Sequence, residues 1–317
     1  MKTWWQRSWR PLLAGAAAGL GLRLVFWGNP GASFAPMMAA FILLAPLFVA
    51  AVTVYVAELS ARRSWAYYFW ASLGANLLFV IGTMLALIEG LICAVIIAPL
   101  FALLGGLAGL LFGAVCRWTN WPRQLLLSVG ILPLMLGAVE TELPVSARTG
   151  TVEHSIVVDA PPEAVWREIL NAEQIRSEEL DHAWIFRIGV PLPLAGVTRE
   201  TAEGPVRRVT MGKNVYFDEV ITELREHRLL RWSYRFYDDS FPANALDEHV
   251  AIGGHYFDLV DTSYTLTPHG ERTELRLRMQ YRVSTQFNWY AAPVARFLIG
   301  NMQRANLEFY RRRSERR

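Results

Sequence analysis

The chain has 317 residues, of which 53% are hydrophobic, and it carries a formal net charge of +3 at pH 7. Residues 1–149 contain nine Lys and Arg against four Asp and Glu, whereas residues 150–317 contain 22 against 24. The excess positive charge lies in short loops between apolar runs, which is typical of a membrane protein and argues against a nucleic-acid-binding surface. The two cysteines, Cys93 and Cys116, fall in one apolar run, so the second half has no disulfide and no thiol nucleophile.

Runs of apolar residues organise the first half. Five such runs can be drawn, at Pro11–Trp27, Phe34–Ala57, Ala66–Leu87, Leu91–Cys116 and Leu125–Val139. A helix needs about 20 mainly apolar residues to cross a bilayer, so the runs predict an α-helical membrane bundle of about five spans over residues 1–140. The fifth run is the shortest and Pro133 interrupts it, so a re-entrant segment is the alternative there.

The positions of Lys and Arg between the runs predict the orientation of the bundle. They occur before the first run and in the loops at 58–65 and 117–124, whereas the loops at 28–33 and 88–90 have none. Cytoplasmic loops carry the excess of positive charge, so the pattern predicts an integral inner (plasma) membrane protein with a cytoplasmic N-terminus. Five spans then place residues 140–317 outside the cytoplasm, as a periplasmic or extracytoplasmic domain, whereas a re-entrant fifth run would leave them inside.

Three glycines form two overlapping GxxxG motifs in the fourth run. Gly105, Gly109 and Gly113 follow one another at intervals of four residues, so they share one face of a helix. Small residues at this spacing let two helix backbones approach closely in lipid. The sequence predicts either packing within the bundle or a homodimer through these glycine faces.

The second half combines strand and helix patterns. Strict alternation predicts an antiparallel strand at 274–283, and an apolar stripe predicts a long helix over Asn288–Arg313. Further strands are predicted at 152–158, 206–211, 215–224, 229–237 and 256–267, with a helix after Asp159-Ala-Pro-Pro-Glu, a strand at 184–188 and a loop at 190–196. Residues 141–150 form a linker, and residues 151–317 are predicted to form an α+β domain with a curved antiparallel sheet wrapped around the C-terminal helix.

Four segments of this half resemble a known superfamily. They are TVEHSIVVDAPPEAVWREI, FDEVITEL, LLRWSY and YTLTPHGERTELRLRMQYRV, followed by the terminal helix. Together they resemble the SRPBCC superfamily, the START and birch-pollen-allergen-type helix-grip fold, and within it the polyketide cyclase/dehydrase and lipid-transport branch. The resemblance covers about residues 150–315 and implies a cavity between the sheet and the long helix that holds apolar ligands. Relatives include both cyclases and carriers, so the resemblance does not transfer an activity.

The positions of polar and aromatic side chains along the predicted elements suggest candidate site residues. The candidates for lining the cavity and binding a ligand are Trp232, Tyr234, Tyr290, Val294, Phe297 and Met302. Alternation along the strands also gives three candidate catalytic groups that could face inward, His154, Asp218 and Asp258. A titratable group buried in an apolar cavity could move protons. The alternative is that a β-bulge reverses which face these residues occupy, or that their hydrogen bonds are structural.

The sequence thus predicts a membrane-anchored binding module for a lipid or another hydrophobic small molecule. Two alternatives stay open, a polyketide cyclase/dehydrase-like enzyme in the same cavity and a non-catalytic regulatory or protein-interaction domain whose interior is filled by side chains. A carrier is favoured over an enzyme because no G-x-S-x-G, H-E-x-x-H or glycine-rich phosphate loop is present. No cofactor and no metal are expected, since the cluster Asp247-Glu248-His249 with His255 lacks a recognised ligand spacing.

Overall fold

The computed structural model describes residues 2–119, 123–180, 182–242, 245–247 and 249–316. The chain divides into two compact units, Met1–Ser146 and Ala147–Arg317. The described part of the first unit contains five α-helices, α1 (Lys2–Val25), α2 (Ala39–Glu58), α3 (Trp65–Leu85), α4 (Leu91–Trp118) and α5 (Ile131–Val139). Short 3₁₀ helices at Arg123–Gly130 and Glu140–Glu142 flank α5.

Three helices of the described chain, α2, α3 and α4, are long and apolar enough to cross a membrane. The predicted count of five is therefore wrong. Helix α1 has 24 residues but carries four cations, Lys2, Arg7, Arg10 and Arg23. Helix α5 has only nine residues, which rise about 14 Å, whereas the apolar core of a bilayer is about 30 Å thick.

The segment that precedes and includes α5 lies along α2. Gly130, at the end of the 3₁₀ helix, packs against the ring of Phe48 in the middle of α2. At the far end, the Glu140 carboxylate accepts hydrogen bonds from the backbone N–H groups of Ala39 and Ala40, at 2.6 and 2.7 Å. These amides open α2 and have no partner within the helix, so a carboxylate there is stabilising. Residue 140 thus lies at the end of the unit where α2 begins.

Helices α3 and α4 pack through the predicted glycine motif. Gly105, Gly109 and Gly113 each face α3 so closely that an added Cβ would overlap its atoms. The α3 residues in contact are Asn76, Ser72 and Tyr68. The glycine stripe is occupied within one chain, so a homodimer through the same glycines, which stays a prediction, would have to open this packing.

The second unit is an antiparallel sheet with helices on one face. Its strands are β1 (Arg148–Val158), β2 (Asn171–Ala172), β3 (Pro193–Thr201), β4 (Gly204–Met211), β5 (Tyr216–Arg225), β6 (Leu229–Arg235), β7 (Phe257–His269) and β8 (Arg272–Val283). They form one sheet in the order β1-β8-β7-β6-β5-β4-β3-β2. Its helices are α6 (Pro162–Leu170), α7 (Trp184–Arg187) and α8 (Asn288–Glu315). The predicted combination of a curved antiparallel sheet and a long C-terminal helix is confirmed.

The sheet buries the face predicted from the alternation in β8. Leu275, Leu277, Met279, Tyr281 and Val283 are all at most 5% exposed. The pairing of β8 with β1 and β7 carries the same face across the sheet, because residues directly opposite in a ladder point to the same side. Helix α8 lies on this face and contributes its buried residues to the same core.

One region differs from the prediction. Residues 184–187, expected as a strand, form the short helix α7, and β3 begins at Pro193, within the expected loop. The backbone N–H of Ile185 donates to Asn301 Oδ1 of α8 at 2.9 Å. A contact with an element more than 100 residues later thus helps to hold α7, and a local pattern cannot reveal it.

The last turn of α8 is fixed by Arg313. Its guanidinium donates to both carboxylate oxygens of Glu179, at 3.0 and 2.9 Å, and to the carbonyl oxygen of Glu173 at 2.8 Å. The hydrogen bonds from Arg313 lower the pKa of Glu179 below its ordinary value. This contact ties the C-terminal end of α8 to the segment after α6.

Candidate functional site

An ion pair lies on the inward face of the sheet. Arg207 of β4 and Glu219 of β5 are directly opposite in the ladder, and each is about 95% buried. Arg207 Nη1 donates to Glu219 Oε2 at 2.6 Å. Taking two charges out of water can cost more than their mutual attraction returns, so a buried pair is weak evidence for stability and invites a functional explanation.

Aromatic side chains surround this pair. The hydroxyl of Tyr310, on α8, accepts a hydrogen bond from Arg207 Nη2 at 3.2 Å. Tyr264 packs edge-on against Tyr310, with ring centroids 5.6 Å apart, and the Trp232 ring also lies 5.6 Å from that of Tyr264. The guanidinium carbon of Arg207 is 5.9 Å from the Trp232 ring centroid. We call these five residues the Arg207 cluster.

A glycine makes room for the arginine. A Cβ atom at Gly196 of β3 would overlap the Arg207 guanidinium nitrogens. Only a residue without a side chain allows the strand to pass this close to the charged group. The position of Arg207 therefore depends on two strands, one that carries it and one that leaves space for it.

Two donors in the cluster have no acceptor. Among the described residues, neither Arg207 Nε nor Trp232 Nε1 has an acceptor at ordinary hydrogen-bond distance, and both atoms are buried. The Trp232 N–H is nevertheless close enough to the Tyr234 hydroxyl to lower the pKa of that phenol, which burial raises. A buried donor without a partner costs about 1–3 kcal/mol. Donors of this kind are what a water, carbonyl or carboxylate oxygen would satisfy.

The Arg207 cluster combines one cation, the Arg207 guanidinium, with neutral tyrosine hydroxyls. Burial raises the pKa values of Tyr264 and Tyr310, so both hydroxyls stay protonated at neutral pH. Burial also raises the pKa of Glu219, an effect that the nearby Arg207 opposes. The cluster can therefore hold a carbonyl or carboxylate oxygen and polarise it through fixed N–H and O–H groups.

The six predicted ligand-binding residues fall into two groups. Trp232 belongs to the cluster, and Tyr234, on the same face of β6, hydrogen bonds through its hydroxyl to Thr262 Oγ1 at 2.6 Å. Met302 packs at the edge of the core, and Tyr290 and Val294 are half-buried. Phe297 is different, since it is 55% exposed. The structure thus brings together only part of the predicted set.

His154 faces inward but lies at the contact between β1 and α8. Its Nδ1 is 2.7 Å from Gln303 Oε1, and its Nε2 is 3.1 Å from Arg304 Nη1. Gln303 Nε2 donates to Val152 O, so its Oε1 faces the histidine and can only accept. The proton therefore sits on His154 Nδ1, and Nε2 accepts from Arg304. Both ring nitrogens are engaged in joining the helix to the sheet.

The two candidate aspartates lie outside the cluster. Asp218 points to the face opposite Glu219, where Arg208 and Tyr237 donate to it, the latter at 2.6 Å. Burial alone would raise the pKa of Asp218, but these hydrogen bonds outweigh it and lower the pKa below its ordinary value.

Asp258 is directed away from the cluster by a β-bulge. The register of β7 against β8 shifts between Leu259 and Asp261, so Tyr264 faces inward while Asp258 does not. Asp258 accepts from the Gly253 backbone N–H at 2.9 Å, and burial raises its pKa.

The alternation along β5 identifies one residue of the Arg207 cluster that was not among the candidates predicted from the sequence. In β5, Phe217, Glu219 and Ile221 alternate, so Glu219 is a charge within an apolar face. Arg207 has no comparable signal. Because Arg208 follows it directly, an arginine lies on the inward face of β4 whichever face is taken as inward.

The predicted polar loop contains Glu248, which lies outside the described residues. Among the residues that are described, no group of three or more His, Cys, Asp or Glu is suited to hold a metal.

Comparisons with known proteins agree with this fold. The family model described as polyketide cyclase / dehydrase and lipid transport matches residues 149–315. No curated protein matches the chain.

Several solved structures are similar to the C-terminal unit. The ZhuI aromatase/cyclase from Streptomyces sp. R1128 is 19% identical, with 54% of this chain and 96% of that chain covered and a TM-score of 0.33. An uncharacterised protein from Rhizobium leguminosarum is 14% identical, with 54% and 99% covered and a TM-score of 0.33. The di-domain aromatase/cyclase StfQ of the steffimycin pathway is 12% identical, with 61% and 60% covered and a TM-score of 0.32. Because the family model spans more than half of the chain, this protein belongs to the polyketide cyclase/dehydrase and lipid transport family.

Proposed function

We propose that the C-terminal unit binds a hydrophobic small molecule, a lipid or a polyketide-like compound, whose oxygen is held by the Arg207 cluster. The observation that carries this proposal is the buried Arg207 guanidinium, whose Nε has no acceptor among the described residues and lies beside the Trp232 N–H. A ligand carbonyl or carboxylate would satisfy both, and its apolar part would lie among the rings between the sheet and α8.

Binding rearranges the interior rather than filling open space. The rings of Trp232, Tyr264 and Tyr310 contact one another where the ligand would lie. The ligand replaces ring–ring contacts by ring–ligand contacts of similar apolar area, so the net gain comes mainly from the oxygen that meets the unmatched donors.

Photo-crosslinking of the full-length protein in lipid nanodiscs tests this function. A long-chain fatty acid carrying a diazirine near the carboxylate is expected to label peptides of β6, β7 and α8. The corresponding alkane, which has no acceptor oxygen, is expected to label them at least tenfold less, since a hydrogen bond to a charged donor contributes about 1.5–3 kcal/mol.

The chain supplies its own control. The double variant Arg207→Met, Glu219→Leu removes the charged donor without leaving a lone charge, so labelling of the sheet should fall while labelling of α2–α4 stays constant. Labelling confined to α2–α4 in the wild type would reject ligand binding. That result would favour the second candidate, a regulatory or protein-interaction domain, which the tightly packed rings of the interior support.

We further propose that the first unit anchors the domain in the membrane and that the domain lies outside the cytoplasm. Three apolar helices support anchoring. No helix described between α4 and the domain is long enough to span a bilayer by itself, but the segment 123–140 lies along α2 and brings the chain to Glu140, at the end where α2 begins. Arg62, Arg63 and Arg117 lie at the opposite ends of the helices. Since clustered arginines mark the cytoplasmic side, the domain follows on the other side.

Reporter fusions after residue 317 test the side of the membrane. Alkaline phosphatase, which needs an oxidising compartment, is expected to be active there, and a fluorescent protein that matures only in the cytoplasm is expected to stay dark. The same reporters fused in the loop at 58–65 should behave in the opposite way. A bright cytoplasmic reporter after residue 317 would overturn the proposed orientation.

A further inference from the structure

An apolar surface stands out on the C-terminal unit. Trp289, Pro293 and Phe297 follow at intervals of four along α8, so they share one face of the helix, and all three are exposed. Trp184 of α7 extends this face, because its ring lies 5.6 Å from that of Phe297. The exposed fractions are 39% for Trp184, 56% for Trp289 and 55% for Phe297. We call these four residues the aromatic patch.

The aromatic patch is built on a rigid support. Helix α7 is held to α8 by the hydrogen bond from the Ile185 N–H to Asn301, and Ile185 itself is 7% exposed. On the other side of α8, Ile299 and Gln303 are buried against the sheet. Large rings held outward on a fixed frame lose little freedom on binding, which suits a contact surface.

The charged residues in the two segments that carry the aromatic patch are all basic. Residues 182–198 and 284–307, which carry the patch, contain no Asp or Glu but contain Arg187, Arg296 and Arg304, all exposed. The C-terminal half as a whole has two more acidic than basic residues. The charged side chains of these two segments are thus all basic, in a domain that is slightly acidic as a whole.

We infer that the aromatic patch rests on the surface of an anionic lipid bilayer. Tryptophan is the residue that membrane interfaces favour most, and arginines beside it attract acidic headgroups. The inference rests on the proposed anchoring, which keeps the domain beside a bilayer, but it does not depend on the ligand proposed for the Arg207 cluster. Contact at this surface would place the N-terminal half of α8 among the headgroups.

A fluorescent probe in the full-length protein tests this contact. Phe297→Cys, in a Cys93→Ser, Cys116→Ser background, is labelled with NBD and reconstituted into nanodiscs that contain phosphatidylglycerol. Nitroxide-labelled lipids are expected to quench the probe about twofold or more, because an interfacial helix lies within about 5–10 Å of the acyl boundary. Val157 provides the control, because it is 52% exposed on the face of β1 that points away from α8. NBD attached at Val157→Cys should not be quenched.

Two further variants, one that reverses a charge and one that moves the probe to a second position, distinguish membrane contact from its alternatives. Arg296→Glu should reduce quenching in phosphatidylglycerol discs and leave it unchanged in neutral phosphatidylcholine discs. Trp289→Cys should repeat the result of Phe297→Cys, which guards against one variant that misfolds. Equal, weak quenching at 297, 289 and 157 in intact nanodisc complexes would overturn the inference. A blue shift at 297 without quenching would indicate a protein partner and would overturn it too, whereas failure to enter nanodiscs would reject the anchoring itself.

Discussion

Replacing Glu219 by leucine is expected to destabilise the C-terminal unit by about 3–5 kcal/mol, since it leaves the Arg207 guanidinium charged and unpaired in the interior. Arg207 is 5% exposed, and Glu219 is the only carboxylate that forms an ion pair with it among the described residues. Little of the cation is exposed to water in the folded domain, so the penalty is larger than for an exposed pair. Urea unfolding of the full-length protein in detergent, with hydrogen exchange of β4 and β5 peptides as the readout, measures it.

The matched control removes both charges. Arg207→Met with Glu219→Leu replaces the pair by apolar side chains of similar volume, and such replacements are often neutral or stabilising. The double variant should therefore recover most of the stability that the single variant loses. Equal losses in the single and double variants would show that shape, rather than the lone charge, dominates at this position.

A valine at Gly109 is expected to disrupt the packing of the first unit. Its Cβ would overlap the Tyr68 carbonyl oxygen and the Ser72 hydroxyl, so α3 and α4 would have to separate. Overpacking of a core costs about 1–3 kcal/mol, and more when backbone atoms block relaxation. We expect the protein to lose its monodisperse elution peak after heating in detergent at a markedly lower temperature than the wild type.

Gly21 provides the comparison for this variant. It lies in α1 with no atom within 4 Å of an added Cβ. Gly21→Ala should leave the midpoint unchanged or raise it, because alanine is favoured over glycine in a helix by about 1 kcal/mol. A similar loss for Gly109→Val and Gly21→Ala would contradict the proposed role of close helix packing.

The elements with strong periodicity were predictable from the sequence. The alternation of 274–283 and the stripe of 288–313 correspond to β8 and α8 nearly residue for residue. The span count was overestimated for two reasons. Helix α1 is long but carries four cations, and hydropathy alone cannot distinguish a continuous helix from the 3₁₀ and short α segments at 123–139. Helix α7 was missed because its anchor, Asn301, lies more than 100 residues away.

The site was harder to predict than the fold. Parity along β6 identified Trp232 and Tyr234, but a bulge in β7 separated Asp258 from Tyr264 on the sheet. The Arg207–Glu219 pair depends on the register of two strands, and that register is set by tertiary pairing rather than by either strand's own pattern. Buried ion pairs between neighbouring strands therefore escape a search that treats one strand at a time.

The pairing of β1 with β8 also determines when the domain can be completed during synthesis. Arg148 lies opposite Val283 and Val158 lies opposite Thr273. Strand β1 is synthesised first but cannot form this pairing until β8, the last strand, has left the ribosome. At about 5–20 residues per second, this wait is on the order of 10 s. Throughout it the apolar face of β1 lacks its partner strand, so the nascent chain offers a chaperone a defined target until β8 and α8 emerge.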